Sequence, residues 1–205
     1  MVCLWDKPLS VYDFQASGFR TGRLSDFDFQ AQSLFADGRW QYGNWIVEAG
    51  FDYRRLLDTA HSEQFYREAM PRWGLRRIIP LCERSALAVG YEGDYRLTGT
   101  DLPPPNQKDD FNDRVDHSLF VTYSFSLCEH AVLQPYYRFQ YTRFTAGETR
   151  SDYLNSFGLA LFCPITQNVG VRAFIGRELL ESTGRQTPEY KKFDAGGGIN
   201  LTLRF

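Results

Sequence analysis

Apolar and polar residues alternate with period two along most of this chain, and that pattern leaves few folds open. In "VDHSLFVTYSFSL", Val115, Leu119, Val121, Tyr123, Phe125 and Leu127 fall on one side. Asp116, Ser118, Thr122, Ser124 and Ser126 fall on the other, with Phe120 the exception. A helix repeats every ~3.6 residues and would mix the two sets. "VLQPYYRFQYTRF" sets Leu133, Pro135, Tyr137, Phe139 and Tyr141 against Gln134, Tyr136, Arg138, Gln140 and Thr142. "NWIVEAGFDYR", "SALAVGYEGDYRL" and "DFDFQAQSLF" repeat the pattern, the last with Phe27, Phe29, Ala31 and Phe35 on its apolar side. Weaker alternation marks strands near 9–19, 65–79, 152–162 and 167–178, and a final strand at 191–205. The pattern predicts an all-β chain of about ten strands, with eight to twelve as the range.

The 205 residues suit one all-β domain and are few for two. The net charge of -2 gives no basic excess for nucleic acid. No apolar run approaches the ~18 residues of a membrane helix. A membrane strand needs only about 9–11 residues, half of them facing lipid, so a mean hydropathy of -0.41 is compatible with a membrane barrel. The opening "MVCLWDKPLS" has neither the basic start nor the apolar core of a secretory signal. The expectation is a removed signal with Met1 added, or a piece of a longer chain. Residues 1–8 are read as an N-terminal periplasmic tail and 9–205 as a single barrel.

Connections alternate in length. Short turns are expected at "CPITQN", "LCEH", "LCER" and "ADGR". Longer ones are expected at "LLESTGRQTPEY", "TAGETRS", "TGTDLPPPNQKDDFNDR" and "RLLDTAHSEQ". "RTGRLS" is short where the rhythm calls for length. An up-and-down meander with short turns at one end and long loops at the other is the pattern of transmembrane barrels. Aromatics gather near the strand ends, with Trp40, Trp45, Phe162 and Phe205 at one end. Tyr53, Tyr95, Tyr141, Phe144, Tyr153, Tyr190 and Phe193 gather at the other. These are two candidate interfacial girdles.

The terminal "GGGINLTLRF" resembles the closing strand of Gram-negative outer-membrane β-barrel proteins of the porin-like class. The matching positions are Leu201, Leu203 and Phe205, which the resemblance assigns to the signal read by the barrel-assembly machinery. It implies an antiparallel up-and-down transmembrane β-barrel in an outer membrane, with membrane lipids as partners and no cofactor. Physics agrees on closure: in a bilayer every backbone donor and acceptor needs an internal partner, so a sheet there must close.

The polar face carries the candidate functional residues: Glu48, Asp52 and Arg54, then Glu68 and Arg72, then Glu92, Asp94 and Arg96. Further along lie Arg138, Arg172, Glu178, Asp194 and Arg204. An eight-strand barrel is just filled by its side chains, and ten strands give little more room. Mixed charges in such a lumen either pair into a plugging network or line a narrow constriction that selects ions. Alternatives are the C-terminal part of a larger pore, an outer-membrane enzyme, and a soluble all-β binding protein. Against the enzyme, His117 and Ser118 are adjacent and point to opposite faces, while His61 falls in a loop and His130 in a turn. Asp101, Asp109, Asp110, Asp113 and Asp116 lack the spacing of a calcium-binding EF-hand loop. Cys3, Cys82, Cys128 and Cys163 lack zinc-ligand spacing. Neighbouring short turns lie ~10 Å apart, so free thiols are expected.

Overall fold

A computed structural model describes residues 9–19, 29–58, 64–100, 110, 112–128, 131–146, 150–166, 169–184 and 189–201. The ten strands are β1 (Leu9–Phe19), β2 (Phe29–Tyr42), β3 (Trp45–Asp58), β4 (Gln64–Cys82) and β5 (Ser85–Thr100), followed by β6 (Arg114–Cys128), β7 (Ala131–Phe144), β8 (Ser151–Pro164), β9 (Val169–Ser182) and β10 (Tyr190–Leu201). They form one sheet in chain order, β1 to β10, so each strand pairs with its sequence neighbours. The registers are antiparallel where β1 meets β2, β2 meets β3, β8 meets β9 and β9 meets β10. The all-β, antiparallel, up-and-down reading is the observed architecture. The proposed tail 1–8, and Leu203, Arg204 and Phe205 with it, lie outside the described residues.

Connection lengths alternate throughout. Residues 43–44, 83–84, 129–130 and 165–168 make the short turns. Residues 20–28, 59–63, 101–113, 145–150 and 183–189 make the longer connections. The first connection thus spans more than "RTGRLS" and restores the rhythm.

One expected turn is misplaced. "ADGR" lies inside β2, where Asp37 pairs with Gly50 and Arg39 with Glu48. Asp-Gly is a strong hairpin signal, yet the chain turns at Gly43-Asn44, between the paired Tyr42 and Trp45. Gly43 has φ of 55°, the left-handed conformation such a turn requires. Inside the strand, Gly38 is covered by the Trp40 ring, whose Cη2 would lie 2.7 Å from an added Cβ.

The same register corrects the face of β2. Phe35 pairs with Asp52 and Ala31 with Leu56, so they share the polar face. Leu34, Trp40 and Tyr42, opposite Tyr53, Val47 and Trp45, form the apolar face.

The chain divides into two compact units. The first is residues 1–75, 92–117 and 142–151; the second is 76–91, 118–141 and 152–205. In both, the covered side chains are mostly polar. Glu68, Asp116 and Thr142 are buried in the first, and Ser85 and Ser118 in the second. Ile46 and Phe144 are the buried hydrophobic residues among those described. Large apolar side chains are exposed instead, such as Leu119 at 57% and Phe193 at 66%.

Gly43→Val should lower stability by about 1–2 kcal/mol, the cost of a left-handed β-branched residue. Gly43→Asn should be close to neutral, because Asn tolerates that conformation. Urea unfolding in detergent micelles measures both.

Candidate functional site

The polar face of the first unit is built around Arg72. Its guanidinium reaches two acids on two other strands: Nη2 donates to Asp37 of β2, and Nε lies 3.3 Å from Asp52 Oδ2 of β3. Gly50 makes room for this. A Cβ there would lie 2.9 Å from Arg72 Nε. Beside this triad, Arg39 and Glu48 approach to 3.6 Å. Both are more than a third exposed, so that pair contributes little.

A second cluster lies further along the face. Glu68, 8% exposed, accepts from the Tyr66 hydroxyl at 2.8 Å and from Arg96 Nη1 at 3.4 Å. Arg96 also donates to Met70 Sδ at 3.3 Å. Two hydrogen bonds are what a covered carboxylate needs to stay charged. Between the clusters is a cavity of about 330 Å³ lined in part by Asp37, Asp52, Arg54, Glu68, Met70 and Arg72.

A third cluster sits at the long-connection end. Asp116, 4% exposed, accepts from the Thr142 hydroxyl and from Arg114 Nε at 3.2 Å. Asp94 lies beside it. Asp113 accepts from the Thr98 backbone N–H at 2.5 Å and from its hydroxyl at 3.0 Å. Phe144 packs beneath two guanidinium groups, Arg150 at 3.8 Å and Arg114 at 5.8 Å from its ring centre. Phe144 is therefore not part of an aromatic girdle. Its ring face attracts the two cations.

The second unit uses more neutral partners. Arg138 donates to the Ser118 hydroxyl at 3.0 and 3.3 Å. Gln134 donates to Ser124 at 2.8 Å. Phe120, the exception in its strand, lies under the Arg76 guanidinium at 5.1 Å. Gly158 and Gly176 are paired across β8 and β9. The Tyr136 hydroxyl lies over both; an added Cβ would come within 2.7 and 2.8 Å of it. Glu178 faces Lys192 across β9 and β10, and Lys192 Nζ reaches Asp194 at 2.7 Å. Arg172 stands opposite Phe162 and Gly198, so Phe162 belongs to the polar face. Tyr190, opposite Leu180 next to Lys192, also leaves the predicted girdle.

The structure thus brings Asp52 to Arg72 and Glu68 to Arg96. Glu48 meets Arg39, and Glu92 approaches Glu48 around Gly74. Arg54 lines the cavity. Asp37 and Arg39 were missed because they sat in a supposed turn. Ser118 is committed to Arg138 on the polar face, whereas its neighbour His117 alternates onto the other. They do not come together as a catalytic pair. Cys82, Cys128 and Cys163 are free thiols, and Cys82 Sγ lies 3.1 Å from Ser85 Oγ. No group of acids, cysteines and histidines among the described residues has the arrangement of a metal site.

No family model and no curated protein matches the chain. Among solved structures, it is similar to a KdgM porin in complex with disordered oligogalacturonate, at 9% identity and a TM-score of 0.44, over 96% of each chain. A likeness of that degree places no residue and assigns no ligand.

Arg72→Gln removes charge-assisted hydrogen bonds and leaves Asp37 and Asp52 facing each other. It should cost about 1.5–3 kcal/mol of stability. Adding Asp37→Asn to Arg72→Gln should recover part of that loss in the same urea titration, because it removes one of the two opposed charges.

Proposed function

We propose that the sheet closes β1 onto β10 as a transmembrane barrel of a Gram-negative outer membrane, with the polar face as lumen and the apolar face against lipid. The barrel acts as a narrow porin-like passage lined by mixed charge. One observation carries the reading: the covered side chains are polar and charged, while Leu119, Phe125, Trp73, Phe157 and Phe193 are exposed. A soluble protein exposing this much aromatic and aliphatic surface on one face would aggregate. A bilayer removes that problem and requires the closure that a ten-stranded sheet can provide.

The strand lengths support the reading. They run from 11 residues in β1 to 19 in β4, enough to span the ~9–11 residues of a tilted membrane strand. In this arrangement the short turns face the periplasm and the long connections face outward. Leu201, Leu203 and Phe205 then serve the barrel-assembly machinery as the closing signal.

Cross-strand pairs occupy much of the polar face, so the passage is narrow. Purified protein in planar bilayers should give small, discrete conductance steps. Inserted protein without steps would reduce the role to a structural barrel. Single-cysteine variants retaining Cys82 or Cys128 test the orientation. A membrane-impermeant maleimide should label them only after the outer membrane is permeabilised. Labelling on intact cells would reverse the proposed topology.

A further inference from the structure

The apolar face is not free of charge, and its charges are nearly all of one sign. Among the described strand residues, that face carries Arg55, Arg67 and Arg143 in the first unit. It carries Arg77, Arg177 and Lys191 in the second, with Glu181 as its acid. The polar face, by contrast, mixes both signs. Position along the strands is also uneven. Arg55 is near the end of β3, Arg67 near the start of β4, and Arg143 at the end of β7. Arg177 lies in the later part of β9 and Lys191 at the start of β10. All five lie toward the long connections; Arg77 lies toward a short turn.

Within the first unit two of these cations face each other. Gly74 approaches Glu48, at 3.7 Å from an added Cβ, and Gly50 approaches Arg72, at 2.9 Å. Both contacts fix one register between β3 and β4, and that register sets Arg55 opposite Arg67. Like charges directly opposite on a sheet repel. No acid relieves them: Arg55 Nε donates to the neutral Gln32 at 2.6 Å, and Arg67 lies along the backbone at Gly99. Two exposed guanidinium groups side by side, each with donors to spare, match the geometry of a phosphate.

We infer that Arg55 and Arg67 clamp the phosphate of an anionic lipid headgroup in the leaflet on the long-connection side. The inference rests on the bilayer reading of the fold. It accounts for the position of the pair, since a cation on a lipid-facing strand is costly at the midplane and tolerated at the interface. It also accounts for the sign, because the other cations at that end of the strands extend the same attraction. Arg143 belongs to the same unit, while Arg177 is flanked on its own face by Phe157 and Phe193.

The test uses the full chain inserted into phosphatidylcholine vesicles with and without a small fraction of bis-phosphorylated lipid A. Insertion is read as protease protection, and bound lipid by native mass spectrometry after extraction into zwitterionic detergent. The native chain should retain lipid A, and R55Q/R67Q should weaken retention at least tenfold. R55K/R67K should keep most of it, and R77Q should behave as the native chain. Inorganic phosphate should not displace the lipid. Normal insertion with no preference for lipid A, or retention unchanged in R55Q/R67Q, would overturn the clamp and leave the membrane reading standing. Displacement by inorganic phosphate would overturn the lipid as its ligand. Failure of the native chain to insert into either vesicle would overturn both.

Discussion

Arg72 reaches two carboxylates from two other strands, and the polar face of its unit is organised around that arrangement. The covered face of this sheet carries charges, which are costly to cover unless each finds an opposite partner. A strand supplies partners poorly along its own length, because the next side chain on the same face is two residues away. Partners therefore come from adjacent strands, and the register must bring them level. Asp37, Asp52 and Arg72 meet because Asp37 pairs with Gly50, and the glycine leaves space for the guanidinium to pass. A slip of one residue between β2 and β3 would exchange the faces and expose Asp37 and Asp52 among Trp45 and Val47.

Where acids are scarce, the second unit covers its cations with hydroxyls and rings. Arg138 takes Ser118, and Arg76 takes the face of Phe120. Opposed glycines at 158 and 176 admit the Tyr136 hydroxyl between strands that would otherwise be too crowded. These contacts narrow the space above the polar face. A passage along it would be restricted more by side-chain packing than by a single ring of charge.

The strands themselves were legible because period two is a direct consequence of the pleat, and every segment from β2 to β10 carries it. Connection rhythm was legible for the same reason, as the intervals between alternating segments. Local turn chemistry misled at Asp37-Gly38, where the dipeptide favours a hairpin but the Trp40 ring and the pairing with β3 hold it in a strand. That single misplacement hid Asp37, the second acid on Arg72. Phe120 and Phe144 looked like breaks in pattern or interfacial residues. Their role depends on guanidinium groups from Arg76, Arg114 and Arg150, and no spacing along the chain encodes that. The Arg55–Arg67 juxtaposition was equally invisible, since it depends on the register of two strands joined by a connection of unspecified path.

The central claim is that the two faces are inverted relative to a soluble sheet, with the polar side enclosed and the apolar side against hydrocarbon. The most direct measurement is oxygen accessibility of spin labels placed singly along β6 of the membrane-inserted chain, since oxygen concentrates in hydrocarbon. Labels at 119, 121 and 125 should show high accessibility and those at 118, 122 and 124 low accessibility, with a period of two. Alternation in the opposite phase, or none, would contradict the account.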